Sequence, residues 1–297
     1  MRNFFTEVEN NKTKTYFIIF LFTLFIVGLC YLASLYYGKG SFASLLGIGL
    51  IFSGISSFAS YYYSDKMILA MSGAREIQRK DSPEIYNLVE NLCLSVGLPN
   101  PKVYIIEDTA MNAFATGRDP KHGVVCLTTG IISRLSKQEL EGVIAHELAH
   151  IGNYDIRLAS IVSVLVGTIV FISDWVSHGM FYGGGSSDNR DVPAWMGILF
   201  IVLLIASPII ATLIQLAISR NREYLADATA ATMTRYPEGL ARALEKISGD
   251  TEILEAANGA TAHLYISNPL KNSGKFIANL FSTHPPIDER IKRLREM

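Results

Sequence analysis

The sequence predicts a predominantly helical α+β protein, anchored in a membrane by four helices and carrying one small sheet in its polar part. Three observations lead there. Of the 297 residues, 49% are apolar and only 18% charged, and the mean hydropathy is +0.27, a balance that leans away from soluble domains. Windows 15–37, 41–61 and 193–218 are apolar runs of the length that crosses a hydrocarbon core, about 20 helical residues. A fourth window, 158–181, is interrupted near its end by Asp174 and His178. Asp174 reads as a capping or snorkelling residue near the end of that span.

The chain divides accordingly. Residues 1–61 form an N-terminal hairpin of spans, 62–157 a first polar segment, 158–218 a second pair of spans and 219–297 a second polar segment. The first run is too long for a signal-peptide core and reads as a retained anchor. Lys and Arg concentrate in residues 1–14, 62–157 and 219–297, with single cations at Lys39 and Arg190 in the two short loops. The positive-inside tendency therefore puts all three polar regions on the cytoplasmic side. A net charge of −1 with no basic stripe excludes nucleic-acid binding. Cys30, Cys93 and Cys126 have no CxxC spacing and predict no disulfide.

Within the first polar segment, Asp81-Ser82-Pro83 sets up a helix running to about Val96 and ended by Gly97. Lys102–Glu107 and Gly123–Thr128 are short β-branched runs, and Asn112–Thr116 is a candidate third strand. Ser136-Lys137-Gln138-Glu139 is a capping box that opens a helix through His146 and His150 to Gly152-Asn153. Pro237 opens another helix, and a last one follows Pro285-Pro286.

The capped helix carries His146-Glu147-Leu148-Ala149-His150. Residues i and i+4 share a helix face, so His146 and His150 can hold one zinc ion, while Glu147 beside them serves as the general base on water. Two histidines on an unremarkable helix is the competing reading, and the capped, apolar-spaced context disfavours it. A hydrolytic zinc site takes three protein ligands and leaves one position open. Asn153 and Ile156 stand where one familiar pattern needs Gly and His or Asp, Asp155 is off that register, and the next glutamate after Glu147 is Glu223. Glu223 and Asp227 are again i and i+4. Glu223 is the candidate third ligand, and Asp227 the acceptor for the second ring N–H of a ligand histidine. His122, His178 and His263 read as surface, loop or interfacial residues.

The stretches Asn112–Gly117, Glu139–His150, Arg222–Asp227 and Thr283–Pro286 closely resemble the HtpX-type membrane zinc endopeptidases, relatives of the CAAX prenyl proteases, over nearly the whole chain. The resemblance implies a zincin-like, membrane-anchored metalloprotease in the bacterial inner membrane that cleaves misfolded membrane proteins at the cytoplasmic face. It implies one zinc per chain on His146, His150 and Glu223, with Glu147 as base. It also implies that Asn112, Ala113, Phe114 and Ala115 form an edge strand pairing with polypeptide substrate, and that His284 stabilises the transition state with Arg290 orienting it. The outer loop and the first two spans match least. A prenyl-peptide protease and a catalytically silent zinc scaffold are the alternatives. Intact Glu147 argues against the scaffold.

Overall fold

The computed structural model describes residues 4–37, 42–182, 220–256, 261–267 and 285–297. Two long helices come first, α1 (Phe4–Tyr37) and α2 (Phe42–Met71). α1 buries Thr15, Ile18, Phe22 and Ile26 on one face, and Ser53 of α2 donates to Thr23 Oγ1 at 2.9 Å. The other face is apolar too, exposing Tyr16, Phe17, Phe20 and Leu24, as α2 exposes Ile48, Ile51, Ile55 and Phe58. Among the described residues, no helix is long and apolar enough to cross a membrane. The predicted span 193–218 lies outside the described residues. The predicted span 158–181 falls in one continuous helix, α6 (Asp155–Tyr182), where the side chains of Asp174 and His178 are outside the described set.

A four-stranded sheet follows in the order β1-β2-β4-β3: β1 (Arg75–Glu76), β2 (Lys102–Ile106), β3 (Ala113–Thr116) and β4 (Val124–Thr128). β2 and β4 run parallel, with Val103 opposite Val125 and Ile105 opposite Leu127, while β3 runs antiparallel to β4, with Phe114 opposite Cys126. Side chains alternate between faces, so Val103, Ile105, Ala113, Ala115, Val125 and Leu127 join one core, and Ile106, Phe114, Val124 and Cys126 join another. Helices α3 (Pro83–Val96) and α5 (Lys137–Gly152) cover the first face. The end of α2, with Leu254 and Tyr265, covers the second. Strands buried on both faces need no polar alternation, which is why 103–106 and 124–127 read as apolar runs. Cys93 and Cys126 are free and buried, and burial pushes both thiols upward in pKa.

The helix boundaries follow local chemistry. α3 starts at Pro83 and ends where Gly97, at φ 68°, donates to Cys93 O. That left-handed conformation suits glycine. After β4 comes α4 (Thr129–Arg134), a short turn that sequence pattern does not announce, capped by the Thr128 hydroxyl. α5 has the full capping box: Ser136 Oγ accepts from Glu139 N, and Glu139 Oε2 accepts from Ser136 N at 2.7 Å. The second polar segment supplies α7 (Arg220–Thr234), α8 (Pro237–Ser248) and α9 (Ile287–Arg295). α8 crosses α5 at two glycines. A Cβ on Gly142 would lie 2.7 Å from Leu240 N, and one on Gly239 would lie 2.7 Å from Gln138 O, so this backbone approach excludes any side chain at either position.

Lys246 of α8 adds a 2.7 Å ion pair to Glu139. Burial acts to raise the Glu139 pKa, but Lys246 and the Ser136 N–H outweigh it and hold the carboxyl below its usual 4.5. A depressed folded pKa contributes stability above the unfolded value, and that contribution is lost as pH falls through the folded one. Glu139→Gln is expected to cost about 1 kcal/mol at neutral pH. The deficit should shrink below about pH 4, which chemical denaturation at pH 7 and at pH 3.5 would measure. An equal deficit at both pH values would remove the ionised carboxylate from the account.

Candidate metal centre

α5 and α7 pack against each other and bring three donor groups together. His146 Nε2 and His150 Nε2 lie 3.1 Å apart. Glu223 Oε2 lies 3.7 Å from His146 Nε2, and Glu223 Oε1 lies 3.4 Å from His150 Nε2. One ligand atom from each of the three falls within 4.8 Å of the others. Zinc bonds of about 2.0–2.1 Å in a tetrahedral arrangement place donor atoms roughly 3.3–3.4 Å apart, so the observed separations bracket those of a zinc site.

Each histidine presents its Nε2 to the centre and has a carboxylate behind its Nδ1. Asp227 Oδ1 lies 3.0 Å from His146 Nδ1, and Asp155 Oδ2 lies 3.1 Å from His150 Nδ1. Such partners set the tautomer and aim the ligating nitrogen. Asp155 reaches His150 because Tyr154, a non-glycine residue at φ 61°, turns the chain sharply between α5 and α6. Arg222 Nε in turn lies 3.8 Å from Asp155 Oδ1. In the sequence Asp155 is off the ligand register and Arg222 stands only at the start of the Arg222–Asp227 stretch, with no role expected of either. The one available signal was an acidic residue at the first position of a helix directly after the histidine pair.

Arg290 of α9 is fully buried and grips Asp227 through two hydrogen bonds, Nε to Oδ2 at 2.9 Å and Nη2 to Oδ1 at 2.7 Å. Its Nη1 is 3.5 Å from Glu223 Oε2. The resemblance pairs Arg290 with His284, which lies outside the described residues; among the described residues Arg290 contacts Asp227, Glu223 and the His146 ring, its Nη2 lying 3.3 Å from His146 Nε2. Glu147 is buried beside His146, and its charge acts on both Arg290 and the Cys126 thiol of β4.

The charges around the three donors also suit a divalent cation. Four buried carboxylates (Glu147, Asp155, Glu223, Asp227) face two buried guanidiniums (Arg222, Arg290), leaving two negative charges uncompensated when the histidines are neutral. Burial and Arg290 oppose protonation of His146, yet Asp227 and Glu223 outweigh them and push its pKa up to about 9. The His150 pKa is raised too, with Asp155 and Glu223 overcoming burial. Positive charge is favoured at this point, and the donor set fits zinc.

β3 stands at the end of the sheet, next to β4, but its outer side is partnered at one end. Ile266 N donates to Ala113 O at 2.9 Å. Asn112 Nδ2 donates to Ser267 O at 3.1 Å, and Asn112 Oδ1 accepts from Ser267 N at 3.4 Å. Residues 113–116 are all buried, and Phe114 packs edge-to-face on Tyr265. The open edge expected over Asn112–Ala115 is therefore closed at Asn112 and Ala113 by the chain's own residues 266–267. Nothing local in the sequence announces that contact across such a separation.

Residues 79–297 match the model of "Peptidase family M48". The chain is 46% identical over 294 residues to a "Protease HtpX homolog" of Dictyoglomus thermophilum, covering 99% of this chain and 95% of that protein. It is 45% identical over 293 residues to one of Tropheryma whipplei, covering 99% and 98%. Among solved structures, the Ste24p crystal structure from S. mikatae aligns over 95% of this chain and 67% of its own, with a TM-score of 0.52 at 20% identity, a likeness of fold. With two histidines and a glutamate gathered on helices of the matched region, this chain belongs to peptidase family M48 and is a metallopeptidase.

Proposed function

We propose that the chain is a zinc-dependent endopeptidase, bound to the bacterial plasma membrane through α1, α2 and the 158–218 region, that cleaves misfolded or damaged membrane proteins at the cytoplasmic face. The observation that carries the zinc site is the convergence of His146 Nε2, His150 Nε2 and a Glu223 carboxylate oxygen, with a second carboxylate behind each histidine. The membrane part is supported by the outward faces of α1 and α2, which expose Tyr16, Phe17, Phe20 and Leu24 on the first helix and Ile48, Ile51, Ile55 and Phe58 on the second, while α2 turns Ser53, Ser60 and Ser64 inward. A contiguous exposed apolar face of this kind marks a surface that lipid or another apolar partner covers.

In this reading His146, His150 and Glu223 hold the ion, which when bound supplies Lewis acidity. Asp227 and Asp155 hold the Nδ1–H of the two histidines and so keep Nε2 free to ligate. Glu147 takes the proton of the attacking water and delivers it to the leaving amide nitrogen. Arg290 balances Asp227 and Glu223, so the buried carboxylates do not have to take up protons of their own. Extended substrate pairs along the side of β3 on which Ala115 lies, beyond the end occupied by Ile266. His284 remains assigned to transition-state stabilisation on the resemblance alone.

Glu223→Ala is expected to remove most of the bound metal and of the peptidase activity, whereas Asp227→Asn should leave a site weakened about 10-fold to 100-fold. Metal analysis of the purified proteins, alongside casein cleavage with and without chelator, separates the two. Wild-type metal content in Glu223→Ala would take Glu223 out of the ligand set. Cleavage of casein but not of a prenylated peptide would distinguish this function from the prenyl-peptide alternative.

A further inference from the structure

One face of α2 carries Ile48, Ile51, Ile55 and Phe58, all exposed and spaced three or four residues apart, and the same spacing continues to Tyr62 and Lys66. From Ile48 to Tyr62 the helix rises about 21 Å, more than the roughly 15 Å of one leaflet's hydrocarbon. Where the apolar stripe ends, the chemistry changes. Tyr61, Tyr62 and Tyr63 each lie under a cation: Arg157 at 5.6 Å from the Tyr61 ring centre, Arg118 at 5.4 Å from Tyr62 and Lys66 at 5.4 Å from Tyr63. Amphipathic aromatic rings beside cations are what a helix places at the headgroup level of a bilayer.

At this same point a cavity of about 340 Å³ opens between α2 and the 118–124 loop, lined by Tyr62, Lys66, Lys102, Arg118 and Lys121 among others. Three carboxylates belong to the neighbourhood. Glu76 is held by Lys102 at 3.0 Å and by the Tyr104 hydroxyl at 3.0 Å. Asp119 is taken by His122, through its ring at 2.7 Å and its backbone N–H at 3.0 Å, and lies 3.6 Å from Arg118 Nε. Asp65 lines the cavity itself. Among the described residues, Lys66 and Lys121 make no ion pair. The cavity is therefore net cationic, and Tyr62 and Lys66 belong both to its lining and to the end of the α2 stripe.

We propose that this cavity binds the phosphate headgroup of an anionic phospholipid whose acyl chains lie along the outer face of α2. The inference rests on the membrane-bound reading above. The stripe selects a lipid over a soluble phosphate, because only a molecule with both parts satisfies both surfaces. Arg118 supplies planar donors and the two lysines supply point charges, a combination suited to a phosphodiester oxyanion. The site lies on the sheet and loop beside β4, so its occupancy would brace the polar domain against the bilayer.

The test uses the full chain purified in a neutral maltoside detergent. Added phosphatidylglycerol is expected to raise the thermal midpoint by on the order of 3 °C, while phosphatidylcholine and glycerol phosphate leave it unchanged. The exposed double substitution Lys66→Ala/Lys121→Ala should abolish that rise without changing the midpoint in detergent alone. An equal rise with phosphatidylcholine, a rise with glycerol phosphate alone, or an undiminished rise in the double variant would each overturn the lipid site. Flotation with neutral phosphatidylcholine vesicles tests the membrane reading separately. Wild type and double variant should both float, so a lost lipid effect with intact flotation condemns only the headgroup site, and failure of both proteins to float condemns the membrane reading and the site with it.

Discussion

Glu147→Gln is expected to lower kcat for peptide cleavage by roughly 10²-fold to 10⁴-fold, the range spanned by a positioned general acid–base, while metal content and fold stay as in wild type. The reasoning is geometric first. Glu147 is adjacent to His146 on α5 and buried, yet it is not one of the three groups whose ligand atoms converge. Its carboxylate is left to handle protons. Glutamine matches its shape and lacks its basicity, so the loss should fall on kcat rather than on KM, and added zinc should not restore activity. Single-turnover cleavage together with metal analysis checks this. Turnover within a factor of a few of wild type, at equal metal content, would mean that another group moves the proton, and loss of metal would mean that Glu147 belongs to the ligand set.

Arg290→Met is expected to cost about 3–5 kcal/mol of stability, the usual penalty for removing one partner of a buried ion pair. Arg290 has no exposed surface and holds Asp227 through a two-point fork. Its removal leaves Asp227, Glu223 and Glu147 buried together with one fewer cation. Burial acts to raise the Asp227 pKa, but Arg290 and His146 hold it down at about 2. A folded pKa depressed below its ordinary value of 3.8 stabilises the fold above that value, a contribution lost as pH falls through the folded pKa. The Arg290→Met deficit should therefore be greatest at neutral pH and narrow below about pH 4. Added zinc should recover part of it, because a divalent cation replaces the missing positive charge. Arg290→Lys keeps the charge without the fork and should fall between the two. Denaturant titration at pH 7 and pH 3.5, with and without zinc, is the measurement. A loss under 1 kcal/mol at pH 7, below the range for a buried pair, would show that Asp227 carries no charge in the folded protein.

These two residues mark the reach of sequence reading. Glu147 sits inside a five-residue motif on a helix whose start is written in Ser136 and Glu139, and a motif on a periodic element is local information. The same holds for the pair Glu223 and Asp227, four apart on α7, and for the helix starts at Pro83 and Pro237. Arg290 lies in a helix with six charged side chains among nine residues. Its burial there depends on where α9 meets α7 and α8, which no window of the sequence contains.

By itself the sequence determined the α+β class, the positions of three strands and the main helices of the polar part but not β1 or α4, and the two histidines and two glutamates on which the proposed chemistry turns. Periodicity, capping and turn residues act within a few positions of one another, so they survive in a one-dimensional pattern. The tertiary structure alone decided that Asp155 turns back onto His150, that Arg290 clamps Asp227 rather than standing at the surface, and that Ile266 and Ser267 occupy one end of β3. The physical reason is common to all three. Each is a polar group that burial obliges to find a partner, and the partner is chosen by the packing of distant helices and strands, or by one left-handed residue at Tyr154.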